Sequence, residues 1–338
     1  MVIVQSYGLA VVMCVITMLC WGSWANTQKL ASREWKFQLF YWDYALGVLL
    51  LTLLFAFTLG SFGSQGRSFL ADLAQADRAN LLSAFLGGVI FNFANILLVV
   101  AIDIAGMSVA FPVGIGLALV LGVIDNFRED PAKYQSVVLF LGVACVAIAI
   151  ILNALAYRRV STDRKTSTLG VVISIVCGIS MGFFYGRVAS AMATDFVAPE
   201  AGKLTPYTAL VCFAAGLLAS NFILNTIAMR WTVSGETVDP LDYFRKGNPR
   251  LHLIGLLGGA IWGVGMSFSI IAGGAAGYAI SYGLGQGATL VAALWGVFIW
   301  REFKGAPKGT APLLGLMFLF YVAGLALVIA GNRGIYGG

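Results

Sequence analysis

The chain has 338 residues, 59% of them hydrophobic and only 11% charged, with a formal net charge of +6 and a mean hydropathy of +0.89. No water-soluble domain of this length needs so much apolar surface for its core, so the composition excludes a soluble globular protein and defines an all-α integral membrane protein whose first partner is the lipid bilayer. The only histidine is His252, and Cys14, Cys20, Cys145, Cys177 and Cys212 all lie in apolar runs without metal or redox spacing, so no metal and no cofactor is expected.

Ten apolar runs are each long enough to cross about 30 Å of hydrocarbon as a helix. They cover residues 7–30, 37–60, 80–101, 107–126, 136–157, 168–192, 207–230, 251–272, 278–300 and 312–331. The first lacks a basic leader and a small-residue cleavage site and reads as a retained span. Lys and Arg gather after the first, fifth, seventh and ninth runs, from Lys29, Arg33 and Lys36 through Arg158, Arg159, Arg164 and Lys165 to Arg245, Lys246, Arg250, Arg301, Lys304 and Lys308. The opposite side has Arg67, Arg78, Arg128, Lys133, Lys203 and Arg333. Positive charge stays cytoplasmic, which predicts a multi-pass cell-membrane protein with both termini outside. The basic stretch 158–165 reads as a cytoplasmic loop, not a nucleic-acid site. The longest connections, 61–79 and 231–250, contain no phosphate-cradling glycine loop, nucleophile elbow or His/Cys cluster, so an enzyme is not expected.

The chain is a duplication. Leu86-Gly87-Gly88 recurs as Leu257-Gly258-Gly259, an offset of 171 positions that also superposes Ile90 on Ile261, Ala101 on Ala272, Ala105-Gly106 on Ala276-Gly277, Gly114 on Gly285, Gly116 on Gly287 and Leu119-Val120 on Leu290-Val291. That is eleven identities in the 35 positions from Leu86 to Val120, where so biased a composition gives roughly three or four by chance. Cys14-Val15-Ile16-Thr17-Met18 likewise matches Cys177-Gly178-Ile179-Ser180-Met181. Repeats of five helices, 1–165 and 166–338, lie in opposite orientations because five is odd, which makes a five-plus-five inverted repeat. Glycines shared by both copies, and Gly178, Gly182 and Gly186 at steps of four, are expected to let backbones approach closely.

Polar residues present in one copy and apolar in the other are candidates for a site. Gln286 aligns with Ile115, Asn92 with Gly263 and Asn95 with Met266. Tyr278, Tyr282, Gln286 and Thr289 share one helix face, opposite Met107, Phe111, Ile115 and Ala118 in the other copy. Thr17, Trp21, Trp24 and Gln28 share another. One reading is a midplane cavity in which aromatics stack on a ring-shaped solute and amides bond its polar edge; the other is that the amides bond neighbouring helices and the aromatics sit in interfacial belts. Arg187 either meets an anionic group or snorkels to the headgroups. Asp43 and Glu302 are the candidates for proton or cation coupling, with pairing to Arg or Lys as the alternative, and His252 reads as an interfacial residue and not a proton relay.

With Tyr41-Trp42-Asp43-Tyr44 before Ala56-Phe57-Thr58-Leu59-Gly60, Gly142-Val143-Ala144-Cys145, Ala272-Gly273-Gly274-Ala275-Ala276-Gly277-Tyr278-Ala279 before Gln286, and Trp295-Gly296-Val297 before Glu302, the chain resembles the ureide permease family. That family is a branch of the drug/metabolite transporter superfamily related to bacterial glucose, ribose and rhamnose porters. The resemblance implies a five-plus-five transporter that imports ureides or nucleobases such as allantoin, uracil or xanthine, commonly driven by protons, with Asp43, Gln286 and Glu302 at positions of matching residue type. Trp24 and Arg187 have no counterpart identified in the family pattern. Plant members insert a long polar loop between the halves, whereas here the join is short and basic, as expected of a bacterial member. The expectation is therefore a proton-coupled importer working by alternating access. A sugar or nucleoside porter, a metabolite or drug exporter and a membrane-embedded sensor are the rivals, and oligomeric state is unknown.

Overall fold

A computed structural model describes residues 1–31, 35–160, 167–230 and 237–335; Arg33, and Arg164 and Lys165 of the expected join at 158–165, lie outside the described residues. Ten helices are long and apolar enough to cross a membrane: α1 Tyr7–Ala31, α2 Phe37–Phe57, α3 Arg78–Ala105, α4 Phe111–Glu129, α5 Ser136–Val160, α6 Thr168–Ala189, α7 Pro206–Arg230, α8 Pro249–Ala276, α9 Tyr278–Ile299 and α10 Thr310–Ala330. Every expected span is present. Helices α3 and α8 overrun the expected ends because their caps lie further out. Asn248 accepts a hydrogen bond from the Leu251 amide at 3.0 Å, with Pro249 in the first turn of α8, and each is a favoured choice at its position.

Both α3 and α8 stop at a glycine. Gly106 has φ 78° and its repeat partner Gly277 has φ 85°, a conformation open to glycine and costly for a residue with a Cβ. Conservation of Ala105-Gly106 as Ala276-Gly277 thus marks a turn that each repeat makes in the same way.

Helix packing is symmetric. Helix α3 lies on α6 and α7, and its counterpart α8 lies on α1 and α2; α4 lies on α6 and α9 on α1; α2 meets α7, α4 meets α9 and α5 meets α10. Exchanging each helix for the one five places along the chain returns the same set of contacts, as a pseudo-twofold axis requires.

Glycine sets the closest crossings. A Cβ on Gly88 would overlap the Phe213 carbonyl and one on Gly216 the Phe85 carbonyl, while Gly259 lies against the Tyr44 carbonyl and Gly47 against the Leu256 carbonyl. The α3–α7 and α2–α8 crossings therefore each hold two glycines, one from each helix. Along α6, Gly178 faces the Gly114 carbonyl, Gly182 faces Leu121 and Gly122, and Gly186 faces the Asp125 carboxylate. Lipid tails are as apolar as leucine, so helices gain little by hiding apolar surface from lipid and close backbone contact supplies the attraction.

The two ends of the bundle are fastened differently. At one end Lys29 pairs with Glu302 at 2.6 Å and Arg159 donates to the Lys308 carbonyl at 3.2 Å. At the other, Asp72 is fully buried, pairs with Arg67 Nε at 2.9 Å and accepts from the Thr205 amide at 2.7 Å and its hydroxyl at 2.9 Å. Arg67 also donates to the carbonyls of Pro199, Glu200 and Lys203. Lys133 donates to the Gly274 carbonyl at 2.7 Å, and burial pulls its pKa below the ordinary lysine value.

A Gly259→Val substitution should force α2 and α8 apart and destabilise the protein by about 1–3 kcal/mol or more, read as a lower melting temperature in detergent. Gly315→Ala, at a position with nothing within 4 Å of the added Cβ, should leave it unchanged or slightly raised. Equal melting of the two variants would contradict the role assigned to the crossing.

Candidate functional site

Equivalent residues of the two repeats meet at the centre. Phe91 on α3 and Trp262 on α8 are related by the offset of 171 and their ring centroids lie 4.4 Å apart, which places both rings beside the pseudo-twofold axis. Trp262 is flanked by Trp21 of α1 at 5.7 Å and Tyr44 of α2 at 6.2 Å. Phe91 is flanked in the same way by Phe184 of α6 at 5.1 Å and Phe213 of α7 at 5.6 Å. One side of this six-ring centre is phenylalanine only; the other carries indole and phenol groups. Trp21 Nε1 and the Tyr44 hydroxyl are buried without a hydrogen-bond partner among the described residues. Sequence reasoning missed Tyr44, Trp262 and the phenylalanine side. The available signal was aromatic character at the same position of both copies, which a search for differences between the copies passes over.

Helix α9 is interrupted beside this centre. At Gln286–Gly287 the backbone ladder tightens: the Gly287 amide bonds the Leu284 carbonyl at 2.9 Å and the Leu290 amide bonds the Gly287 carbonyl at 2.9 Å. The corresponding segment of α4, Phe111–Ile115 with Pro112 inside it, is π-helical. Both symmetry-related helices thus leave α geometry at the same place, a feature associated with binding sites in transporters. A Cβ on Gly285 would meet the Trp21 ring at 2.7 Å, and one on Gly287 the Met18 sulfur at 2.6 Å. The interruption therefore rests directly on α1.

The four stripe residues of α9 divide into two pairs. Tyr282 donates to the carbonyls of Ala118 at 3.2 Å and Met181 at 3.1 Å, fastening α9 to α4 and α6. Thr289 donates to the Gln286 carbonyl at 2.9 Å and accepts from Tyr321 of α10 at 2.8 Å. Gln286 is 8% exposed, and no described residue hydrogen-bonds its carboxamide. The Tyr278 hydroxyl is buried and has no partner among the described residues.

The remaining candidates are spread more widely. Thr17 donates to the Gly265 carbonyl at 2.8 Å and ties α1 to α8. Trp24 lies 4.9 Å from Tyr44, next to the aromatic centre. Asn92 donates to Ser220 of α7 at 2.9 Å and Asn95 to Tyr41 of α2 at 3.0 Å, so both amides turn toward neighbouring helices, although Asn92 Oδ1 is left buried without a partner among the described residues. Arg187 is exposed at the end of α6, and its carbonyl accepts from Ser83 at 2.8 Å. The aromatic centre does not include it.

Asp43 forms a separate cluster near the start of α2. It is 2% exposed, accepts from the Tyr243 hydroxyl at 2.5 Å, and has His252 Nδ1 3.0 Å from each carboxylate oxygen. The Trp35 ring stands edge-on to His252 at 5.3 Å. Burial and the bond to Asp43 push the Tyr243 pKa above the ordinary tyrosine value, which keeps this phenol a donor. His252, read from sequence as interfacial, is thus the direct partner of the candidate coupling carboxylate. Glu302 joins Lys29 at 2.6 Å and accepts from Tyr157 at 2.7 Å, linking the end of α9 to α1 and α5.

A ten-helix symmetric bundle with a buried aromatic centre and an interrupted helix beside it defines the class: a multi-pass membrane protein. A crystal structure of another protein has the same fold, with a TM-score of 0.57 at 15% identity over 96% of this chain and 98% of that chain. The chain is 24% identical to Ureide permease 1 of Arabidopsis thaliana over 98% of its length and 99% of the relative's, and 24% identical to Ureide permease 2 over the same shares. It is also 21% identical to a putative sugar uptake protein of Lactococcus lactis, over 96% of this chain and 99% of that one. The ureide permease profile matches residues 40–168 and 157–331. The chain belongs to the ureide permease family. The two profile matches overlap over residues 157–168.

Tyr282→Phe removes the hydroxyl that holds α9 against α4 and α6, and should cost about 1 kcal/mol of stability. Thermal melting in detergent measures it; an unchanged melting temperature would show that the two carbonyl contacts contribute nothing.

Proposed function

We propose that the protein is a secondary transporter that imports a small, polar, ring-shaped solute of the ureide or nucleobase class, such as allantoin, uracil or xanthine, and couples uptake to protons. The observation that carries this reading is the one-sided aromatic centre, where Trp21 Nε1 and the Tyr44 hydroxyl are buried without partners among the described residues and the Trp21 ring lies against Gly285, next to Gln286 at the interruption of α9. Flat rings favour a planar solute, and buried polar atoms without partners, Trp21 Nε1 and the Tyr44 hydroxyl, are costly unless a solute completes their bonds. The names of the Arabidopsis relatives supply the ureide class. Repeats 1–165 and 166–338 then act as the two halves that rock about the axis, and exchanging their conformations exposes the centre to the opposite side.

Asp43 is the proposed site of proton coupling. Its carboxylate is buried between α2 and α8 and faces one titratable imidazole, His252, and one phenol, Tyr243. Protonating the carboxylate removes its attraction for His252 and loosens α2 from α8 at that end, which couples a proton to opening. An inward proton adds about 2.3 kcal/mol per 100 mV of membrane potential. Glu302, clasped by Lys29 and Tyr157, is the secondary coupling candidate. Both termini outside is the orientation that the lysine and arginine distribution supports.

A second reading, import of a sugar, is favoured by the similarity to the Lactococcus protein and to a glucose uptake protein of Bacillus subtilis, 23% identical over 66% of this chain and 70% of that one. Competition of labelled allantoin or uracil uptake by glucose separates the two.

In proteoliposomes, Asp43→Asn should abolish accumulation driven by a pH gradient while sparing solute exchange; normal accumulation would remove Asp43 from coupling. Gln286→Ala should raise the Kd for the solute roughly tenfold with normal expression and melting, and an unchanged Kd would place Gln286 outside the site.

A further inference from the structure

Asn221 on α7 is fully buried, and neither its Nδ2 nor its Oδ1 has a hydrogen-bond partner among the described residues. It is the only described side chain with two buried, unpartnered polar atoms. A carboxamide withdrawn from water with nothing to bond is among the most costly arrangements in a protein interior, and in a bilayer there is no solvent to relieve it. Full burial keeps lipid headgroups and a second copy of the chain from it, and a solute would reach it only when the helices around α7 part.

The repeat supplies a control. Gly47 and Gly216 occupy matching places in the α2–α8 and α3–α7 crossings, as do Tyr44 and Phe213 in the aromatic centre; both pairs are 169 positions apart. The same offset places Asn221 on Thr52. Thr52 is also buried, yet its hydroxyl donates to the Leu49 carbonyl of its own helix at 2.9 Å. The first repeat satisfies its polar group internally, whereas the second leaves both a donor and an acceptor vacant.

Polar groups are frequent on this stretch of α7 and on the helices against which it packs. Ser220, the preceding residue, accepts from Asn92, whose Oδ1 is itself unpartnered. One turn further on, Asn225 donates to the Gln38 carbonyl at the start of α2 at 2.8 Å. On α2, against which α7 packs, Tyr41 accepts from Asn95 and stacks on Tyr44 at 5.1 Å, and the Tyr44 hydroxyl is unpartnered. Two turns before Asn221 on α7, Phe213 belongs to the aromatic centre.

We infer that Asn221 binds the solute directly, recognising a lactam edge, the –NH–C(=O)– unit that ureides and oxopyrimidines present side by side. The lactam N–H donates to Asn221 Oδ1 while the lactam carbonyl accepts from Asn221 Nδ2, two parallel bonds that use both vacant atoms at once. A monosaccharide hydroxyl can serve either atom but does not present a fixed, coplanar donor and acceptor pair. This inference rests on the ureide or nucleobase reading and gives it a specificity residue.

The test compares binding of hydantoin, which has a lactam edge, with 1,3-dimethylhydantoin, which has no N–H, by calorimetry on the purified full-length protein. Wild type should prefer hydantoin. Asn221→Leu should raise the hydantoin Kd by roughly 10- to 100-fold, weaken the dimethyl compound, which keeps its carbonyls but has no N–H to donate, much less, and melt no lower than wild type, because the vacant amide is gone. If Asn221→Leu does not purify as folded protein, Asn221→Thr, the residue of the matching position, is measured in its place with the same expectation. A variant that binds hydantoin as tightly as wild type overturns the role of Asn221 alone. Wild type that binds glucose and not hydantoin, allantoin or uracil overturns the solute class, and the inference with it.

Discussion

Backbone against backbone is the contact on which the rest of the structure depends. Each of the α2–α8 and α3–α7 crossings brings a glycine of each helix onto a carbonyl of the other, with Gly47 and Gly259 in one and Gly88 and Gly216 in the other. Inside a membrane, where burying apolar side chains gains little, such crossings are a principal source of attraction. They also fix position. With no side chain between them, the helices hold Tyr44, Phe213, Phe91 and Trp262 close enough for their rings to meet at the axis.

A symmetric scaffold then supports an asymmetric centre. The crossings, the positive-φ turns at Gly106 and Gly277 and the helix contacts are duplicated almost feature for feature, as two interchangeable halves require. The rings and amides are not duplicated: phenylalanines of one set face Trp21, Tyr44 and Trp262 of the other, Gln286 takes the place that Ile115 holds in the other repeat, and Asn221 matches Thr52. In the proposed transport cycle symmetry serves the exchange between two conformations, whereas a solute of defined shape needs unequal partners. The interruption of α9 at Gln286–Gly287 and the π-helical turn of α4 combine the two, being equivalent in place and different in chemistry.

Hydropathy alone made the ten spans legible, because a bilayer leaves so few ways to satisfy a backbone, and the recurrence of Leu86-Gly87-Gly88 as Leu257-Gly258-Gly259 revealed the duplication. The scaffold role of Gly87-Gly88 and Gly258-Gly259 was legible from their recurrence. Their partners Gly47 and Gly216 were not, since they follow a different offset and lie outside the matched segment. Asn92 and Asn95 stood out as polar residues in one copy only, yet a pattern of differences cannot tell an amide that faces a cavity from one that bonds Ser220 or Tyr41 on the next helix. The contact of His252 with Asp43 was hidden for a related reason: its place near a span end is visible in the sequence, but the carboxylate it meets is 209 positions away. Asn221 escaped notice because the repeat alignment did not extend to α7.

Uptake, coupling and recognition all presuppose that a ureide or nucleobase settles against the indoles at the centre. Titrating the purified protein with allantoin, uracil and glucose while following tryptophan emission tests this directly, with Trp262→Phe as the reference for the central ring. Saturable quenching by allantoin or uracil, reduced in Trp262→Phe and absent with glucose, is the predicted result. Saturable quenching by glucose with none from the ureide or nucleobase would contradict it.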